Sequence, residues 1–184
     1  MRYSIAILIC SILLCASCKE STTGLTGGAD NLLVNSTFEL QGTPSLQGWV
    51  VSDPSNVRFS TDTPPGGSGS SIVLEAQWFA PWPNGAIYQE VVPPAGTHRY
   101  RLSVLGKRSR IAGAVLVHIG RPLAPGSSLR MALQIVDTLW ASSSSTDTIT
   151  TVPGDSVYVT VSGGGTEILA GRSYFNTCRF EVLD

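Results

Sequence analysis

Net charge is almost absent from this chain. Twelve Lys and Arg stand against thirteen Asp and Glu, leaving −1 over 184 residues. That balance offers no basic field for nucleic acid and no acidic tail. Cysteine is scarce where it would matter structurally. Three of the four cysteines, Cys10, Cys15 and Cys18, crowd the N-terminus, and only Cys178 follows. The body of the chain therefore has no internal disulfide, no dithiol pair and no Cys-rich zinc site. Helical periodicity is missing too. From residue 31 onward no segment holds apolar residues at i, i+3, i+4 and i+7 for three turns. Catalytic signatures are also missing. His98 and His118 are twenty residues apart and match no metal-ligand spacing. No Gly-x-Ser-x-Gly elbow and no phosphate-cradling Gly-rich loop appears. A glycosidase needs two carboxylates across a cleft. Most acids here fall in turns; Glu75 and Glu90 are the pair that neighbouring strands could bring face to face, which spacing alone does not establish. The expectation is a non-enzyme.

What is present begins with "MRYSIAILICSILLCASCKE". Arg2 forms a short positive region, and residues 5–14 form an apolar stretch too short for a membrane span of about 20 residues. Ala16 and Ser17 then lead into Cys18. This resembles a bacterial lipobox, with Cys15 where that motif prefers leucine. The resemblance implies a signal peptide over 1–17 and lipid on Cys18, and the other reading is an ordinary secretory signal. Residues 18–30 are polar and rich in Gly and Thr, as in a flexible tether. Lys19 follows the lipidation site, and the lack of aspartate there points to the outer membrane, on a face left open.

Residues 31–184 read as a single all-β domain. Short runs such as "SIVLEA", "AIYQEVV", "HRYRLSVLGKR", "GAVLVHIGR", "SLRMALQIVD", "SVYVTVSG" and "YFNTCRFEVL" are separated by "TPPGGSGS", "VPPAGT", "RPLAPGSS" and "VPGDS". About ten strands with Gly/Pro punctuation indicate an antiparallel sandwich. "WASSSSTDTITT" fits a solvated outer strand. Phe38 and Trp49 are expected in the core, and Gln89, inside an apolar strand, is expected to bond backbone. Cys178, Phe180 and Val182 share one face, and unbroken alternation puts Tyr174 and Asn176 on it as well. Burial, not reactivity, is expected for Cys178.

The opening "NLLVNSTFELQGTPSLQGWVVSD" resembles carbohydrate-binding modules with the galactose-binding-like jelly-roll fold. It carries Asn31-Leu32-Leu33, Phe38-Glu39 and Gly48-Trp49. "GGSGSSIVLEA", "AIYQEVVPPAGTHRYRLSVLGKR" and "YFNTCRFEVLD" continue the likeness. The resemblance implies a β-sandwich that binds polysaccharide or another glycan. It also implies one structural calcium, held by a glutamate after the first strand and an aspartate opening the last. Glu39 matches the glutamate, and Asn176 stands at the aspartate position with one oxygen kept and the charge lost.

The densest aromatic stretch is "WFAPWPNG", with three rings between residues 78 and 82. Sugars present apolar C–H faces and polar rims, which flat rings and a few hydrogen-bonding side chains complement. The resemblance places a ligand-stacking tryptophan at Trp82. Related xylan binders carry an arginine slightly earlier, where this chain has Gln77 and Trp78. Trp78 and Phe79 are shared between platform and hydrophobic lid. Gln77, Arg101 and His118 are the expected polar partners. The alternative is a structural or adhesion lipoprotein whose exposed rings contact a protein partner.

Overall fold

The computed structural model describes residues 30–67, 69–76, 85–110, 112–122, 124–164 and 171–184. Two five-stranded antiparallel sheets pack face to face. The first runs in the order β10 (Ala141–Thr151), β7 (Gly96–Arg108), β12 (Gly171–Val182), β5 (Ser71–Ala76) and β4 (Val57–Ser60). The second runs β3 (Val50–Val51), β6 (Ala86–Val91), β11 (Val157–Ser162), β8 (Gly113–Ile119) and β9 (Ser128–Ile135). A two-stranded ribbon, β1 (Glu39–Leu40) with β2 (Thr43–Pro44), precedes them. Its turn uses Gln41 at φ 52° and Gly42 at φ 76°, the paired left-handed residues that match hairpin twist. One short 3-10 turn, Pro54–Asn56, leads into β4.

Alternation builds the core. In β7, Tyr100, Leu102 and Val104 are buried and Arg101 and Ser103 point out. From the second sheet Val115, Val117, Val157, Val159 and Val161 meet them. Phe38 and Trp49 close one part of the interior with ring centroids 5.4 Å apart, and Tyr100 stacks on Phe180 at 5.0 Å. Each fully buried side chain of this size contributes about 1.5–3 kcal/mol. Gln89 is 5 % exposed and does what its position suggested. Its Oε1 accepts from Val34 N at 2.7 Å, and its Nε2 donates to Val34 O and Gly48 O at 3.0 Å each. It thus pins the N-terminal segment to β6.

Cys178 is buried, and burial pushes its thiol up to about 12. Strand β12 departs from simple alternation. A bulge between Phe175 and Thr177 inserts Asn176 as an extra residue, which shifts the phase of the side chains. Phe175 becomes the core residue at 0 % exposure, and Tyr174 lies opposite Lys107 on the outer face. The expected placement of Tyr174 and Asn176 with Cys178 is corrected by that bulge. The run "NLLVN" contributes an isolated bridge, Asn31 to Glu181. The serine-rich segment is β10, an edge strand, as its composition suggested.

Candidate functional site

The connections 77–85, 109–112, 136–140 and 163–170 all leave the sandwich at one end. Ala76, Ala86, Arg108, Gly113, Ile135, Ala141, Ser162 and Gly171 are the strand termini there. Gly85 marks the entry to β6 at φ 59°, and a Cβ on it would collide with the Glu75 carbonyl. That close approach needs glycine. Gln77, Trp78, Phe79 and Trp82 lie outside the described residues, as does Cys18. What is described is the outer face of each sheet.

The outer face of the first sheet is held by the chain itself. A row crosses it from Lys107 through Tyr174 and Val73 to Arg58, each beside the next in register, and Trp140, just before β10, lies against Lys107. Asp62, two residues past β4, reaches this row. Its carboxylate accepts from Lys107 Nζ at 2.6 Å and from Trp140 Nε1 at 3.2 Å, and its carbonyl accepts from Ser71 Oγ at 2.7 Å. The Lys107 ammonium lies 5.0 Å from the Tyr174 ring centroid and 5.3 Å from that of Trp140. Val73 is 1 % exposed although it points away from the core. Further along this face Glu75 pairs with Arg58 and with Arg172. Arg101 is also here, 2.8 Å from the buried Glu181, which Arg179 meets from its other side at 3.1 Å. Arg101 and Arg179 together neutralise a buried carboxylate.

The outer face of the second sheet is different in chemistry. Tyr88 and Tyr158 lie on adjacent strands with ring centroids 6.2 Å apart. Tyr158 Oη donates to Glu90 Oε2 at 2.9 Å, and Ser156 Oγ donates to Glu90 Oε1. These two donors hold the Glu90 carboxyl below its ordinary value. Burial, and then the Glu90 carboxylate, raise the Tyr158 phenol. His118 is beside Tyr158 across the β8–β11 ladder, and burial holds its imidazole below the usual histidine value, in the neutral form. Thr160, beside Tyr88, is 1 % exposed, and its hydroxyl has no hydrogen-bond partner among the described residues. Toward the loop end the outward positions Ala86, Ser162 and Ala114 are buried.

The expected polar partners are thus split. Arg101 is on β7 of the first sheet and His118 on β8 of the second, each pointing outward, so they sit on opposite faces of the sandwich. The chain changes sheets between them. Glu75 and Glu90 are separated in the same way, and the two-carboxylate cleft of a glycosidase is not assembled from them. Tyr88 and Tyr158 were not singled out by sequence. Their signal was an aromatic at an outward position in each of two apolar strands, and only the β6–β11 pairing makes them neighbours.

Glu39 and Asn176 do come together, around Ser70. Glu39 Oε1 accepts from Ser70 N, and Asn176 Nδ2 donates to Ser70 O at 3.1 Å. Among the described residues no group of three or more His, Cys, Asp and Glu is placed to hold a metal ion.

No protein-family model matches the chain, and no curated protein matches it. Solved structures do. A family 16 carbohydrate-binding module superposes with TM-score 0.58 at 18 % identity, over 82 % of this chain and 99 % of that one. A family 61 module solved with β-1,4-galactotriose gives 0.54 at 17 %, over 84 % and 100 %. A family 22 xylan-binding domain from Paenibacillus barcinonensis gives 0.54 at 16 %, over 87 % and 99 %. At these identities the fold is what is shared. The chain has the antiparallel β-sandwich fold of carbohydrate-binding modules.

Proposed function

We propose that this protein is a non-catalytic, lipid-anchored carbohydrate-binding module of the cell envelope. Its glycan would lie on the outer face of the second sheet, beside the loop that contains Trp78, Phe79 and Trp82. The observation that carries the reading is the Tyr88–Tyr158 pair, whose rings are 6.2 Å apart and framed by Glu90 and His118. Two rings set across adjacent strands suit the C–H face of a sugar, and a carboxylate and a neutral imidazole at the margin suit its hydroxyls. The opposite outer face is taken up by ion pairs and by the Asp62 segment. The fold shared with modules from families 16, 22 and 61 supports the same class of ligand. The lipobox-like run ending in Cys18 supports anchorage, and Lys19 after it supports the outer membrane.

The test is a glycan array probed with the purified protein, followed by tryptophan fluorescence with any sugar that scores. The reading expects quenching on addition of sugar, and expects Trp82→Ala and Tyr158→Ala each to weaken binding at least tenfold. A blank array sinks the carbohydrate reading and leaves the protein-partner role. Labelling with radioactive palmitate tests the anchor, and label that persists in Cys18→Ser would sink it.

A further inference from the structure

The ends of the domain are joined at a point where the jelly-roll resemblance implies a calcium ion. The residues actually there bond differently. Ser70 is gripped from both sides: its N–H donates to Glu39 Oε1, and its carbonyl accepts from Asn176 Nδ2 at 3.1 Å. The Asn176 oxygen is itself engaged, accepting from Thr177 Oγ1 at 3.3 Å. Gly69 is at φ 94°, and a Cβ on it would collide with the Glu39 carboxylate. The carboxylate is therefore seated directly against the 69–70 backbone. Asn176 is the bulge residue of β12, and two residues on, Cys178 N donates to Ser36 O at 2.8 Å. The relay thus ties the N-terminal segment, the start of β5 and the last strand together.

Calcium needs roughly six to eight oxygen ligands and several negative charges. This cluster offers one carboxylate, and at the carbonyl of Ser70 it presents an amide N–H where a cation would sit. An N–H donor and a cation compete for the same lone pairs. We propose that the Glu39–Ser70–Asn176 hydrogen-bond relay replaces a divalent cation at this junction, so that the fold does not depend on calcium. On this proposal Asn176 is the residue that makes the difference. Returning a carboxylate there removes the N–H, sets a second negative charge near Glu39, and recreates a need for metal.

The experiment is thermal unfolding of the purified protein in EDTA and in millimolar calcium chloride. The proposal expects the two midpoints of the native protein to agree within about 1 °C. Asn176→Asp is expected to melt lower than the native protein in EDTA and to recover by about 5 °C or more in calcium, the response of a site filled well above its Kd. Glu39→Gln keeps an acceptor for Ser70 N–H and is expected to show no calcium response. A calcium-dependent midpoint in the native protein that disappears in Glu39→Gln overturns the proposal. A folded Asn176→Asp that ignores calcium overturns the role given to Asn176. If that variant fails to fold in either buffer, the native and Glu39→Gln measurements still decide the matter.

Discussion

Asp62 and Lys107 are 45 residues apart in sequence, and their charged groups meet at 2.6 Å on the outer face of the first sheet. The contact folds the segment after β4 back over its own sheet. Trp140 and Tyr174 complete the clamp, with the ammonium against both rings and the indole N–H on the carboxylate. In this row the Lys107 ammonium and the Trp140 indole N–H are both engaged by the Asp62 carboxylate. Val73, flanked in register by Tyr174 and Arg58, is buried on the outer side of the same sheet.

The clamp is sensitive to acid. The hydrogen bond from Lys107 holds the Asp62 carboxyl below 3.8, its ordinary value. A depressed folded-state pKa means stability that is whole above the unfolded value and lost as pH falls through the folded one. The Asp62 side chain is 45 % exposed, so screening leaves about 0.5–1 kcal/mol for the contact. Asp62→Asn should therefore melt about 1–4 °C below the native protein at pH 7. That gap should narrow from about pH 4 downward. Unfolding curves between pH 3 and 7 check it, and a gap that stays constant with pH contradicts the assignment.

Gln89 should be among the costliest polar side chains to remove. Gln89→Leu preserves bulk but strands one backbone N–H and two carbonyls in a part-buried position. Unpaired buried groups cost about 1–3 kcal/mol each, less where water can enter. A loss of about 3 kcal/mol overall is expected, or roughly 6–12 °C in the melting midpoint. Chemical denaturation of the single variant is sufficient to measure it. A loss under about 1 kcal/mol would mean that the N-terminal segment does not need this tie to β6.

Tyr100 should behave in the opposite way. It is fully buried and stacked on Phe180, yet its hydroxyl has no hydrogen-bond partner among the described residues. Burial raises the phenol above its ordinary value, with the Asp184 charge adding to that. The ring supplies the apolar contact, and the hydroxyl is desolvated without compensation. Tyr100→Phe is therefore expected to be neutral or stabilising by up to about 1 kcal/mol. Loss of stability in this variant would show that the hydroxyl is bonded in the folded protein.

The parts legible in the sequence were those fixed by local alternation. The inward set of β7, the polar composition of β10 and the bonding of Gln89 all follow from a side chain's neighbours in the chain. The misplaced residues each depended on a non-local fact. Tyr174 moved to the outer face because one inserted residue at Asn176 reverses the phase of β12. Arg101 and His118 parted because the short connection after β7 crosses to the other sheet, and nothing in "RSRIAG" distinguishes a crossover from a hairpin. "TPPGGSGS" reads as a turn wherever it lies, so the reach of Asp62 across the first sheet was invisible. Tyr88 and Tyr158 were plain residues in two strands until the β6–β11 ladder set them side by side.

That pair gives the sharpest test of how the site works. Tyr158 has two separable features, its ring and its hydroxyl, and the hydroxyl is spent on Glu90. If stacking holds the sugar, Tyr158→Phe should keep most of the affinity, because the ring and its 6.2 Å spacing from Tyr88 are preserved. Tyr158→Ala should then lose about tenfold or more, equivalent to at least about 1.4 kcal/mol. If the Glu90 carboxylate is instead the main contact, Tyr158→Phe frees a lone pair on Oε2 and alters binding, and Glu90→Gln alters it further. Titration of Tyr158→Phe, Tyr158→Ala and Glu90→Gln with the same array-selected sugar separates the two. Equal losses in Tyr158→Phe and Tyr158→Ala would show that the hydroxyl, not the ring, is what the ligand requires.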